Sequence, residues 1–179
     1  MYYSVIKDCD IANGTGVRVT IFVSGCTNAC EGCFNPDTWN FRYGQEFTDE
    51  TWENVCKMLD HDYITGLTLL GGEPFEPGNQ RDIIPYLRDY KKRFPNKNLW
   101  AFTGFYYDTE LLVDGSHPRC EVTDEILDMV DVLVDGRFIL AKKDITLRYR
   151  GSSNQRIIDM HKTREEGKVV LWDETQATT

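Results

Sequence analysis

No stretch of this 179-residue chain approaches the roughly 20 apolar residues that a membrane-spanning helix needs. Its first residues, MYYSVIKDCDIANG, lack the basic start and long apolar core of a secretory signal. A cytoplasmic, reducing location is therefore expected, with no membrane partner. An excess of positive charge is missing too. Twenty Lys and Arg against 29 Asp and Glu leave a formal charge of -9, which argues against a nucleic-acid groove built on basic side chains. Repeats, low-complexity tracts and long Pro/Gly/Ser linkers are absent, so one domain over 1–179 is expected. Its core would span about 10–159, leaving a tail at 160–179 that could be mobile. Histidine is scarce, and His61, His117 and His161 follow no paired-ligand spacing.

What the chain does have is six cysteines, at 9, 26, 30, 33, 56 and 120. Three disulfides are conceivable, but in a reducing compartment and at this low density metal ligation is the commoner use. Three of them crowd into SGCTNACEGCFNPDTW (24–39) as C-x3-C-x2-C. A closed zinc site takes four ligands, usually as two pairs, and ordinary electron-transfer clusters also take four cysteines. No second pair exists here. Three ligands in a tight loop suit a cubane cluster whose fourth iron stays open to a small molecule.

The segment VRVTIFV (17–23) is rich in β-branched residues and reads as a buried strand running into the cysteine loop. In TDETWENVCKMLD, Thr48 is a candidate N-cap, and Trp52, Val55, Cys56 and Leu59 fall on one helical face. YITGLTLL (63–70) is a second strand, ending in GGEPF. Ile83, Leu87, Tyr90 and Phe94 make another helical stripe. NLWAFTG (98–104) is a third strand, TDEILDMV (123–130) a helix, and DVLVDGRF (131–138) a fourth strand. RYRGSSNQRIID closes the pattern with a polar turn and a short apolar stretch. Alternating strands and helices imply parallel βαβ units. Four or five such repeats are too few for a complete eight-fold barrel, so an open, partial β/α barrel with a mostly parallel sheet is expected. In such folds the chemistry gathers at the carboxyl ends of strands, where the cysteine loop, GGEP, Thr103–Gly104 and VDGR all fall.

With C-x3-C-x2-C and a following GGEP (71–74), the chain resembles the radical S-adenosylmethionine (SAM) enzymes. More narrowly, GTGVRVTIFVSGC, CEGCFNPDTW, LLGGEPF, WAFTG, DVLVDGRF and RGSSNQR resemble the activating components of anaerobic (class III) ribonucleotide reductases. The likeness runs from about 10 to 158. Gly32 before the last cluster cysteine is similar to these activases, whereas many radical enzymes have an aromatic residue there. Phe34 stands where tyrosine is frequent, and Arg137 where lysine is common.

The resemblance implies that Cys26, Cys30 and Cys33 hold a [4Fe-4S] cluster and that SAM chelates its open iron. Reductive cleavage would yield a 5′-deoxyadenosyl radical that takes hydrogen from a glycine of the reductase large subunit. The electron would come from a donor such as flavodoxin or ferredoxin. It further implies that Gly71 and Gly72 let the backbone pass close to the ligand, and that Glu73 accepts hydrogen bonds from the methionyl ammonium. Arg137 would meet the carboxylate, with Asp135 orienting it or helping to hold a cation. Thr103 and Gly104 would touch the methionine or ribose, and the backbone of Gly32, Cys33 and Phe34 the adenine.

Blander readings stand beside these. Thr103–Gly104 and Asp135–Gly136 could be plain strand-end turns, and Arg137 a solvated charge. Cys56 reads as a buried small hydrophobe. Cys9 and Cys120 read as incidental thiols, and the histidines as surface or packing residues. RGSSNQR could be a capped turn or a docking element. The loop at 105–122 carries no assignable role. Two rival functions remain open: an activase of another glycyl-radical enzyme or a small-metabolite radical enzyme, and a non-enzymatic iron–sulfur or zinc module.

Overall fold

The computed structural model describes residues 1–175. Its strands are β1 (Tyr2–Asp10), β2 (Val17–Val23), β3 (Gln45–Glu46), β4 (Ile64–Gly71), β5 (Asn98–Phe102), β6 (Val132–Asp135) and β7 (Arg156–Asp159). They form one sheet in the order β3-β1-β2-β4-β5-β6-β7. The middle of the sheet, β2-β4-β5-β6, is parallel. Both flanks pair antiparallel. The sheet is open, so the expected mixed α/β architecture with a parallel centre is present.

Helices α1 (Asp49–Leu59), α2 (Pro77–Arg93) and α3 (Thr123–Met129) pack with the sheet in one apolar core. Alternation along each strand supplies the facing side chains. Val19, Ile21 and Val23 of β2 join Leu67, Leu69, Leu99, Ala101 and Leu133 in that core. Thr48 caps α1 as expected, its hydroxyl accepting from Thr51 N–H while the Thr51 hydroxyl accepts in return. Such a cap is worth about 1 kcal/mol. Cys56 lies in this core at 5% exposure, a small hydrophobe. Pro77 opens α2 where its missing N–H would have no helical partner anyway. Farther along α2, the Tyr90 hydroxyl accepts from Leu67 N–H at 3.2 Å and donates to Asn98 O at 2.7 Å. One buried hydroxyl thus ties the helix to two neighbouring strands.

Two strands end sooner than their apolar runs suggest. β5 stops at Phe102, after which the Thr103 hydroxyl accepts from Phe105 N–H at 3.1 Å and turns the chain. β6 stops at Asp135 because Gly136 takes φ +104°. β1 and β3, which the residue pattern did not reveal, extend the sheet beyond β2. Past β7, α4 (Met160–Glu166) is capped by Asp159 and ends on Gly167 at φ +67°. Leu171 then bridges to Ile158, and the Trp172 ring sits 5.5 Å from that of Trp100. The tail segment is therefore folded onto the sheet through Trp172, while 176–179 lie outside the described residues.

Candidate active site

Phe22, Leu70, Phe102 and Val134, near the carboxyl ends of the four parallel strands, floor a cavity of about 510 Å³. The loops leaving those strands wall it with Cys26, Cys30, Cys33, Phe34, Gly71, Gly72, Glu73, Thr103 and Gly104. The chain from Leu147 to Gly151 lies across it. Most of the expected site residues therefore share one concavity of ordinary ligand-binding size. Gly32, Asp135 and Arg137 are not among the residues that line it.

The cysteine loop leaves β2 directly. Gly25 N–H donates to Thr38 O at 2.7 Å, which turns the chain toward the cavity. Burial, followed by the nearby Glu73 carboxylate, pushes the Cys26 thiol up to about 12. Cys30 is also raised, chiefly by burial, while the Phe138 N–H directed at its sulfur pulls the other way. All three thiols are free of disulfides. Soft sulfur donors on one wall fit an iron–sulfur cluster. Among the described residues, no three Cys, His, Asp or Glu side chains converge tightly enough to hold a single metal ion. A cubane binds each cysteine through a different iron, so its ligands stand farther apart than those around one ion.

Glu73 is 1% exposed. Its Oε1 accepts from Phe75 N–H at 2.9 Å, and its Oε2 from Gly104 N–H at 2.7 Å and Asn28 Nδ2 at 3.1 Å. Burial raises its pKa to about 7 despite these donors. The Thr103 hydroxyl bonds the carboxylate as well, so about all four of its acceptor positions are engaged by the protein itself. The glycines before it serve the protein's own packing. A Cβ on Gly71, at φ +113°, would lie 2.5 Å from Val23 N, and one on Gly72 2.7 Å from Gly25 O. Their missing side chains admit neighbouring backbone, and both glycines also line the cavity.

Thr103, 5% exposed, and Gly104 reach the wall from the turn after β5. A Cβ on Gly104 would meet Asn28 Nδ2 at 2.4 Å, so this glycine lets the cysteine loop pack against the turn after β5. Phe34 stands at the rim, 76% exposed, its ring 5.5 Å from that of Phe138.

The expected pairing of Asp135 with Arg137 is replaced by two others. Asp135 lies opposite Arg156 in the β6–β7 register, so the two side chains share a face. The buried carboxylate takes both Arg156 Nε at 2.9 Å and Nη2 at 2.6 Å, together with Tyr107 N–H. Beyond the turn at Gly136, Arg137 forms a two-pronged pair with Glu110 at 2.8 and 2.5 Å. Its guanidinium rests 5.5 Å from the Phe105 ring centre.

Sequence reasoning passed over several residues gathered here. Asn28 holds Glu73, and Glu76 and His117 meet Thr27. Within RGSSNQR, Gln155 Oε1 accepts from Gly151 and Ser152 N–H while its Nε2 donates to Gly136 O. Asn154 donates to Arg137 O. That motif is thus a hook seating the end of β6 beside the cavity. No local periodicity marks any of these residues, because each also has a partner far away in the chain.

Comparison with known proteins agrees with this geometry. The family described as a 4Fe-4S single cluster domain matches residues 12–158. The chain is 40% identical over 159 residues to the anaerobic ribonucleoside-triphosphate reductase-activating protein of Enterobacteria phage T4, covering 88% of this chain and 93% of that one. Proteins of the same name from Pasteurella multocida and Escherichia coli K12 are 40% and 38% identical over 157 residues. These alignments cover 87% of this chain and 95% and 96% of theirs. With relatives this similar over nearly their whole length, the chain belongs to the family of anaerobic ribonucleoside-triphosphate reductase-activating proteins, built on a 4Fe-4S single cluster domain.

Proposed function

We propose that this protein activates an anaerobic ribonucleotide reductase by radical SAM chemistry, from a single domain with an open radical SAM-type β/α barrel. The observation that carries the reading is the shared cavity. Three disulfide-free cysteines and a buried glutamate meet there at the carboxyl ends of parallel strands. Cys26, Cys30 and Cys33 would hold a [4Fe-4S] cluster with one iron left for SAM. When bound, the pair supplies an electron from the cluster, a cleaved sulfonium and a 5′-deoxyadenosyl radical able to take hydrogen from a glycine of the reductase.

The chain's own part is to bind, orient and exclude water. Glu73 lines the cavity, and a methionyl ammonium there would offset the burial that raises its pKa. Thr103 and Gly104 would bound the methionine or ribose and the backbone of Cys33 and Phe34 the adenine, with Gly32 turning the loop beside them at φ +74°. Arg137 is engaged by Glu110 and Asp135 by Arg156, and neither lines the cavity, so we assign both to the support of that wall. The partners are the reductase's glycyl-radical subunit and a one-electron donor such as flavodoxin or ferredoxin, in the cytoplasm. No helix among the described residues is long and apolar enough to cross a membrane.

The test mixes reconstituted protein, reductant, SAM and a purified anaerobic reductase under strict anaerobiosis. A glycyl radical by electron paramagnetic resonance, with 5′-deoxyadenosine formed, is the expected outcome. Reduced, cluster-loaded protein that forms no 5′-deoxyadenosine would overturn the reading.

A further inference from the structure

Glu76 is a second buried carboxylate, three residues beyond Glu73, and the chemistry above gives it no part. It immediately precedes α2, its side chain makes no capping bond to the helix, and it is 2% exposed. Its Oε1 accepts from the Thr27 N–H at 2.8 Å and from the Thr27 hydroxyl at 2.6 Å. Its Oε2 lies 2.9 Å from His117 Nε2, which is also 3.2 Å from the Thr27 hydroxyl. Three separate segments therefore meet at one carboxylate: the residue after Cys26, the first turn of α2 and the loop at 105–122.

The rest of that helical turn points the same way. Asn79 Nδ2 donates to Ser24 O and Glu73 O, both at 3.0 Å. Gln80 Nε2 donates to Phe75 O and Pro118 O, both at 2.6 Å. The start of α2 thus grips the chain on both sides of Cys26, and also the root of the 105–122 loop. A buried carboxylate is costly unless its lone pairs are filled, and hydrogen bonds to a charged acceptor are the stronger kind. Thr27 is otherwise exposed, so its orientation depends on this anchor.

We propose that Glu76 is the positioning residue for the Cys26 arm of the cysteine loop. It fixes Thr27, and with it the direction of the Cys26 thiol, from the rigid start of α2. His117 braces the far oxygen and so joins the 105–122 loop to the same anchor. The role toward the cluster rests on the proposed ligation by Cys26, Cys30 and Cys33, whereas the hold on Thr27 does not.

The test uses the full chain with Glu76→Ala, Glu76→Gln, His117→Ala and Tyr90→Phe. Tyr90→Phe deletes a buried hydroxyl farther along α2 and controls for general destabilisation. Hydrogen exchange of the metal-free protein reads the Thr27 amide directly. Glu76→Ala should speed it at least about tenfold, while Glu76→Gln, which keeps an acceptor oxygen, should stay within about threefold. His117→Ala should fall between them. After anaerobic reconstitution, Glu76→Ala should retain less than about half the iron of the unchanged protein, or alter the paramagnetic signal of the reduced cluster, with Glu76→Gln restoring both. Tyr90→Phe should lower the melting temperature and change neither readout. Thr27 exchange unmoved by Glu76→Ala, no rescue by Glu76→Gln, or loss of iron in Tyr90→Phe to the same degree overturns the proposal. If exchange responds as expected but the unchanged protein gathers no cluster, the proposed function falls and Glu76's hold on Thr27 stands.

Discussion

The same four parallel strands present two unlike faces. Toward α1, α2 and α3 they offer Val19, Ile21, Leu67, Leu69 and Leu99, all nearly or fully buried in a continuous apolar core. On the opposite face, earlier in the strands than the residues that floor the cavity, they carry Arg18, Thr20, Thr68 and Trp100, just as buried but polar or aromatic. Arg18 is fully buried. Its Nε donates to the Thr68 hydroxyl at 2.7 Å, Nη2 to Leu67 O at 2.8 Å and Nη1 to Thr15 O at 3.1 Å. Its guanidinium also lies 5.6 Å from the Trp100 ring. Burial pushes its pKa down to about 10. One face thus stabilises the fold through one large apolar core, while the other combines a smaller apolar cluster around Trp100 with a buried, hydrogen-bonded arginine.

That contrast can be broken or sharpened experimentally. The largest effect belongs to the cavity side: Cys30→Ala should abolish cluster formation and 5′-deoxyadenosine production together, measured by iron content and product analysis. On the helical face, Leu67→Ala should lower unfolding free energy by about 2–5 kcal/mol, read from denaturant melts. Glu73 gives a pH signature in the metal-free protein. Its folded pKa of about 7, against an ordinary 4.5, means the folded state keeps a proton that the unfolded chain releases. Its contribution is complete below pH 4.5 and is lost as pH rises to 7, about 3 kcal/mol in all. Glu73→Gln should flatten that part of the stability curve.

Thr20→Val should do the opposite of the leucine truncation. The Thr20 hydroxyl is buried without a hydrogen-bond partner among the described residues, although Asp10 approaches it. Removing it should raise stability by about 1 kcal/mol, visible as a higher denaturation midpoint. Cys120→Ala is the smallest. Its thiol has only weak contacts at 3.6 Å with Gln80 and Thr123. A change within about 0.5 kcal/mol and an intact cluster are expected.

The helical face was the more legible in the sequence. Val55, Cys56 and Leu59 recur at helical spacing, and Thr48 announces the start of α1. VRVTIFV and YITGLTLL read as strands because β-branched and large apolar residues dominate them despite Arg18, Thr20 and Thr68. β1 escaped notice because YYSVIKDCD mixes polar and apolar residues on a half-exposed flank. Within the site, the cysteines and Glu73 were legible because residue type and spacing carry their chemistry. The partners of Asp135 and Arg137 were not, since they depend on β6–β7 register and on Glu110 in a distant loop. Glu76, Thr27 and His117 form a cluster only after folding brings three loops together.

Leaving the sheet open has one further consequence, at β1. Among the described residues, only Tyr2 and Tyr3 of its outer side pair with β3, so Ser4 to Cys9 has no strand partner on that side. Such an edge invites another chain to add a strand and seed aggregates. Breaks in register between Tyr3 and Val5, and again between Lys7 and Asp10, bend that border out of line, and Lys7 and Asp8 add charge along it. Straightening it, for instance with Lys7→Val and Asp8→Thr, should make the protein self-associate while leaving its interior untouched.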